Sequence, residues 1–103
     1  MLNTIILVGT LTKDPEVMKT EDEVSVVNIT LVINRPYRDS DNVFGKDFIP
    51  VTIHRGYADA VAKYCKKDSL VSVKGHLKNR EIIIADQTVQ TLEVIAERVS
   101  FIS

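Results

Sequence analysis

The sequence has one cysteine, no tryptophan, four glycines and three prolines in 103 residues. The lone Cys65 excludes an intrachain disulfide and makes a reducing, cytoplasmic setting the default. No apolar run approaches the roughly 20 residues that span a bilayer, so no membrane role is expected. The apolar opening "TIILVGTL" is short, with no basic segment before it and no small-residue cleavage site after it, so it does not read as a signal peptide. There is no repeat, low-complexity tract or Gly/Ser/Pro linker to divide the chain. Its length suffices for one core and not two, so residues 1–103 are expected to form one domain. Hydrophobic content of 45% against 26% charged residues is that of a globular protein, which excludes disorder.

A formal net charge of −1 argues against a polyanionic partner until the charges are placed along the chain. Between Asn34 and Arg80 lie ten basic residues and five acids, whereas the remainder carries three basic residues and nine acids. The middle segment is therefore at +5 and its flanks total −6. Such an asymmetry suits a local anionic ligand as well as it suits ordinary surface charge.

Hydrophobic periodicity supplies the fold. Residues 4–11 read as a strand interrupted by Gly9, and "KDPEVMKTEDE" follows as a polar connection with an Asp-Pro turn. "VSVVNITLVINR" alternates, with Val27, Ile29, Leu31 and Ile33 on one side and Asn28, Thr30, Val32 and Asn34 on the other. "PYRDSDNVFGK" reads as a loop. In "DFIPVTIHRG", Ile49, Val51 and Ile53 share one face, while Phe48, Pro50, Thr52 and His54 share the other. The period then changes: Ala58, Val61, Ala62 and Cys65 fall at the spacing of one face of a short helix. Alternation resumes in "LVSVKGHLK", with Val71, Val73 and Leu77 inward, and the final segment is a strand turning around Asp86-Gln87. Three strands, a helix and two strands make an all-β, five-stranded OB-fold barrel with one short helix between strands three and four. Gly9 and Gly75 then sit in strand interiors where a small barrel coils sharply.

With this order in hand, "MLNTIILVGTLTKDPEV", "VNITLVINRPYRD", "DFIPVTIHRG", "ADAVAKYCKKDSLVSVKGHLKNR" and "TLEVIAERVSFI" together resemble the bacterial single-stranded DNA-binding proteins of replication, recombination and repair. The resemblance implies a homotetramer (a homodimer is the next expectation) that wraps single-stranded DNA without marked sequence preference. Bases would stack on aromatic side chains, and Lys and Arg would line the phosphate path. By position, Tyr37 and Phe48 match stacking aromatics of the family; His54 falls where a third aromatic is usual, and Ile82 where a fourth is often found. Asp68 stands where the family usually has glycine.

Each candidate has a plainer reading beside the functional one. Phe48 could cover a subunit contact instead of stacking on a base, and Tyr37, between Arg35 and Arg38, could pack on the barrel rim. His54 could stack, with binding then sensitive to pH, or simply bond a neighbour. Arg35, Arg38, Lys46, Arg55, Lys74, Lys78 and Arg80 are the candidate phosphate partners; Lys63, Lys66 and Lys67 belong to the exposed face of the helix. A His54–His76 metal site lacks a third ligand, so neither a metal nor a cofactor is expected. Cys65 reads as a small apolar core residue without reactivity.

Three departures from the family pattern bear on function. From Glu81 to Glu97 there is no aromatic and no basic residue, so the hairpin that usually reaches to DNA would repel phosphate and binding should be weaker or shorter in footprint. There is no tryptophan. The chain stops at Ser103, where the family usually continues into an acidic-tipped tail, so tail-mediated recruitment of replication proteins is not expected from this chain. The competing expectation is an OB-fold interaction module of the primosome or phage-accessory kind that engages protein or RNA. An enzyme is not expected, because the acids cluster in loops and the final hairpin instead of converging with His in a pocket.

Overall fold

The computed structural model describes residues 1–19, 25–38, 40–54 and 56–103. The alternating segments pair as β1 (Ile5–Leu11), β3 (Ser25–Arg38), β4 (Phe44–Ile53), β5 (Leu70–Ile84) and β6 (Gln87–Phe101). A short β2 (Glu16–Lys19) precedes β3, and helix α1 (Ala58–Tyr64) lies between β4 and β5. The sheet runs β1-β5-β6-β4-β3-β2, and a β1–β3 pairing through Thr10↔Val32 and Leu11↔Leu31 closes five of the strands into a barrel. A parallel contact, Val51↔Val94 through Ile53↔Ala96, joins β4 to β6. This is the expected OB barrel, with the helix between its third and fourth strands.

The inward faces are those the alternation marks. Val27, Ile29 and Leu31 of β3, Val51 and Ile53 of β4, and Val71 and Val73 of β5 are buried, joined by Leu11 and Val94. β-branched side chains fill a pleated, buried surface at low rotamer cost, which favours this composition. Helix α1 plugs one end with Ala58 and Val61, followed by Cys65 just past its last turn. Burial pushes the Cys65 thiol up from its ordinary value, which keeps it an inert core group. Past the helix, Asp68 adopts φ 72° and its N–H donates to the Leu11 carbonyl at 2.9 Å. That left-handed position favours glycine, the residue usual in the family.

Two glycines allow backbones to approach where the barrel coils. A Cβ on Gly75 would lie 2.9 Å from the Ile95 carbonyl carbon and 3.1 Å from Ala96 Cα. One on Gly9 would lie 2.7 Å from the Val32 carbonyl oxygen. Gly75 also sits at a register shift between β5 and β6, where Lys74 pairs Arg98 but Gly75 pairs Ala96, leaving Glu97 as the extra bulged residue.

The structure corrects five details. The polar connection contains the extra strand β2, paired with β3 through Glu16↔Asn28 to Lys19↔Ser25. The segment read as a loop from residue 36 to 46 is mostly strand, because β3 runs on to Arg38 and β4 begins at Phe44. Pro36 has no N–H to donate, and the ladder is irregular between Asn34 and Arg38. Ala62 is exposed because the seven-residue helix buries only part of its face, and Leu77, 37% exposed, lies where the hairpin leaves the barrel. The β5–β6 turn is Ala85-Asp86, both at positive φ, one residue earlier than the sequence suggests.

Candidate nucleic-acid interface

The β3–β4 ladder builds a solvent-facing strip opposite the core. Its cross-strand pairs are Asn28↔Thr52, Thr30↔Pro50, Val32↔Phe48 and Asn34↔Lys46. Period-two geometry puts all eight side chains on one face. Phe48 is 62% exposed there, a large apolar ring that folding leaves mostly in water, with Lys46 two residues away on the same side. An aromatic platform with a neighbouring cation is a recurrent way to hold a single strand.

Beside the strip, toward Pro50 and Thr52, lies a groove of about 400 Å³. Its floor is Asn28, Thr30, Pro50 and Thr52; the β5–β6 hairpin contributes Arg80 and Glu93 on one side, and Lys13 and Glu16 form the other. The Thr52 hydroxyl donates to Asn28 Oδ1 at 3.3 Å. Lys13 bonds Glu16 at 2.6 Å, and Arg80 Nη1 stands 3.9 Å from Glu93 Oε2. In OB folds, strands two and three with the loops after strands one and four form the usual ligand face, and the groove occupies that position.

The candidate residues divide in space. Phe48, Lys46 and Arg80 lie on the strip or in its groove, and Lys78 pairs Glu93 two residues nearer the barrel than Arg80. Tyr37, 61% exposed, and Arg38 are at the far end of β3. There the Arg38 guanidinium lies 4.8 Å over the Phe44 ring and donates to Asn42 Oδ1 at 3.1 Å. His54 is exposed just beyond β4, six residues and about 20 Å along the strand from Phe48. Lys74 pairs Ile6 and Arg98 in the β1–β5–β6 part of the barrel, away from the strip. Arg55 lies outside the described residues.

Arg35 sits on the other face from Lys46 and Phe48. Its side chain crosses Gly45, where a Cβ would lie 3.0 Å from Arg35 Cδ, and its Nη2 and Nε donate to Asp47 Oδ1 at 2.8 and 3.1 Å. Those hydrogen bonds hold the Asp47 carboxyl below its ordinary 3.8; desolvation opposes the shift and the guanidinium charge adds to it. The ion pair already offsets much of the charge Arg35 could present to a phosphate.

Sequence reasoning missed Phe44, 49% exposed beneath Arg38, because "NVFGK" reads as turn chemistry. It also missed the groove, whose walls come from segments far apart in sequence. Among the described residues, no group of three His, Cys, Asp or Glu is placed to hold a metal, and no helix is long and apolar enough to cross a membrane.

Comparison with known proteins agrees with the fold. The model of the single-strand binding protein family matches residues 2–102. A single-stranded DNA-binding protein of Halalkalibacterium halodurans is 41% identical over 103 residues, covering 99% of this chain and 61% of its own. One of Bacillus cereus is 42% identical with the same coverage. The chain thus spans about three fifths of the length of these relatives. Among solved structures, the Plasmodium falciparum SSB in complex with ssDNA superposes with a TM-score of 0.87 at 25% identity, covering 100% of this chain and 96% of that one.

Proposed function

The chain belongs to the single-strand binding protein family, and from that premise we propose that it binds and protects single-stranded DNA without strong sequence preference, in replication, recombination or repair. The observation that carries this reading is Phe48, an exposed ring on the OB ligand face beside Lys46 and in line with a groove. A core-building role does not account for it, and a base stacked on it would cover it. Tyr37, Phe44 and Arg38 extend the path at one end, and His54 continues it at the other. Lys46 and Lys78 supply cations along it, and Arg80, paired with Glu93, borders the groove. The protein acts by binding, not by catalysis, in the cytoplasm.

Assembly belongs to the same reading. Ile6 and Val8 of β1 are 70% and 52% exposed, and they alternate with the inward Ile5 and Leu7. An apolar strip of this kind on a strand is what a homotetramer would cover. The β5–β6 hairpin favours a second reading, because Ile83 and Leu92 are 78% and 66% exposed on an arm with no cation from residue 81 to 97. An aliphatic, acidic arm suits a protein contact better than phosphate, and it should leave DNA affinity below that of family members with an aromatic hairpin.

Fluorescence anisotropy with labelled oligo-dT at several salt concentrations tests the reading. Each phosphate neutralised should contribute about −0.7 to the slope of log affinity against log salt. Unlabelled single strands should compete far better than duplex. A flat salt response, or equal competition by duplex, contradicts the reading.

A further inference from the structure

The groove beside Phe48 differs in chemistry from the strip that leads to it. Among the described residues it carries two carboxylates and two cations, each pair internally compensated: Lys13 with Glu16, and Arg80 with Glu93. A phosphate gains little there, because the carboxylates cancel the attraction of the cations. The groove also lacks an aromatic ring for stacking. What it offers is a proline face, the Asn28–Thr52 amide and hydroxyl pair, and a carboxylate reaching in from the hairpin. Its volume of about 400 Å³ is within the range that takes a small organic ligand.

We propose that this groove receives one base of the bound strand and that the Glu93 carboxylate reads its edge, giving a preference for guanine over thymine at that position. The inference rests on the reading of the protein as a single-strand binder and adds a specificity-determining residue to it. An ionised carboxylate only accepts hydrogen bonds. Guanine presents two adjacent donors, N1–H and the N2 amino group, which match the two carboxylate oxygens. Thymine presents a single N3–H between two carbonyl oxygens, and both of those oxygens face the carboxylate unfavourably. Glu93 is positioned for this role because its side chain is only 21% exposed and its ion pair with Arg80 is a loose 3.9 Å. Arg80 can hold the carboxylate toward the groove without occupying it in a two-point bond. Pro50 lies two residues from Phe48 on the same face, so a strand stacked on Phe48 can lead its next bases across the proline into the groove.

The test is competition against labelled oligo-dT by three unlabelled strands: all-thymine, one with a central guanine, and one with a central inosine, which lacks the N2 amino group. Because binding elsewhere is tolerant, the guanine can slide into register. The guanine strand should compete about fivefold or more better than all-thymine, as a good bidentate contact does, and inosine should lose most of that gain. In Glu93→Gln and Glu93→Ala, checked for folding by thermal melting, the guanine-to-thymine ratio should fall toward one. Oligo-dT binding with equal competition by the guanine strand, or a preference that survives in both variants, overturns the inference and leaves single-strand binding standing. Failure of every strand to bind overturns the underlying reading. The inosine comparison needs no variant and can overturn the inference even if both variants misfold, since a guanine gain that inosine keeps excludes a two-donor contact.

Discussion

Replacing Phe48 by alanine separates binding from folding more cleanly than any other substitution. The ring is 62% exposed and pairs across the ladder with Val32, so roughly a third of it leaves water on folding. Full burial of a phenylalanine contributes at most about 3 kcal/mol, so truncation should cost folding about 1 kcal/mol or less. A base stacked on such a ring contributes about 1–3 kcal/mol, which is roughly a 5- to 150-fold loss of affinity. The binding effect therefore exceeds the stability effect, and the two are measured apart. Anisotropy titration with oligo-dT should show the weakened affinity, while the melting midpoint shifts by a few degrees and light scattering reports the same assembly. A change in affinity below about twofold with the fold intact refutes the stacking role. Loss of assembly instead assigns Phe48 to a subunit contact.

Three further outcomes follow from the same geometry. His54→Phe places a larger ring at the distal end of the strip and should tighten oligo-dT binding by up to about tenfold, read in the same titration; weaker binding contradicts a stacking role there. Gly75→Ala drives a Cβ into the backbone of Ile95 and Ala96, which cannot move aside as a side chain could, and should lower denaturant stability by about 1–3 kcal/mol or more; an unchanged midpoint refutes the close approach. The Asp47 carboxyl should titrate below 3.8 by NMR and return toward that value in Arg35→Ala. Since its folded value is lowered, the stabilisation it brings is fully present above the ordinary value and is lost as pH falls through the lowered one.

What could be read from the sequence was what depends on local period and on backbone limits. Val27, Ile29 and Leu31 declare a buried strand face by alternation alone, and Phe48 is conspicuous because it breaks the polar character of the opposite face. Gly75 could be recognised because barrel coiling needs a residue without a side chain, and Asp68 because a family glycine position usually means a left-handed turn, here φ 72°. Strand β2 gave no such signal. All four of its residues are exposed, so no face is buried to impose a period, and it exists only through pairing with β3. The neutralisation of Arg35 was equally silent, because it depends on the β3–β4 register that puts Asp47 opposite Ile33, twelve residues from the arginine it binds. The groove needs the hairpin to approach β4, a tertiary fact that joins Glu93 to Thr52, 41 positions apart in the chain. Tyr37 occupies an intermediate case: its residue type marked it as a ligand group, but its place on a strand extension came from pairing that runs past Pro36.

The most direct test of where the single strand runs is amide chemical-shift mapping as a saturating oligo-dT is added. The largest changes should fall at Val32, Asn34, Lys46, Phe48 and Thr52, with little change at Ile6, Val8 and Ser72 on the outer face of β1 and β5. Changes concentrated on Ile6, Val8 and Ser72, with the β3–β4 strip unmoved, would contradict that path.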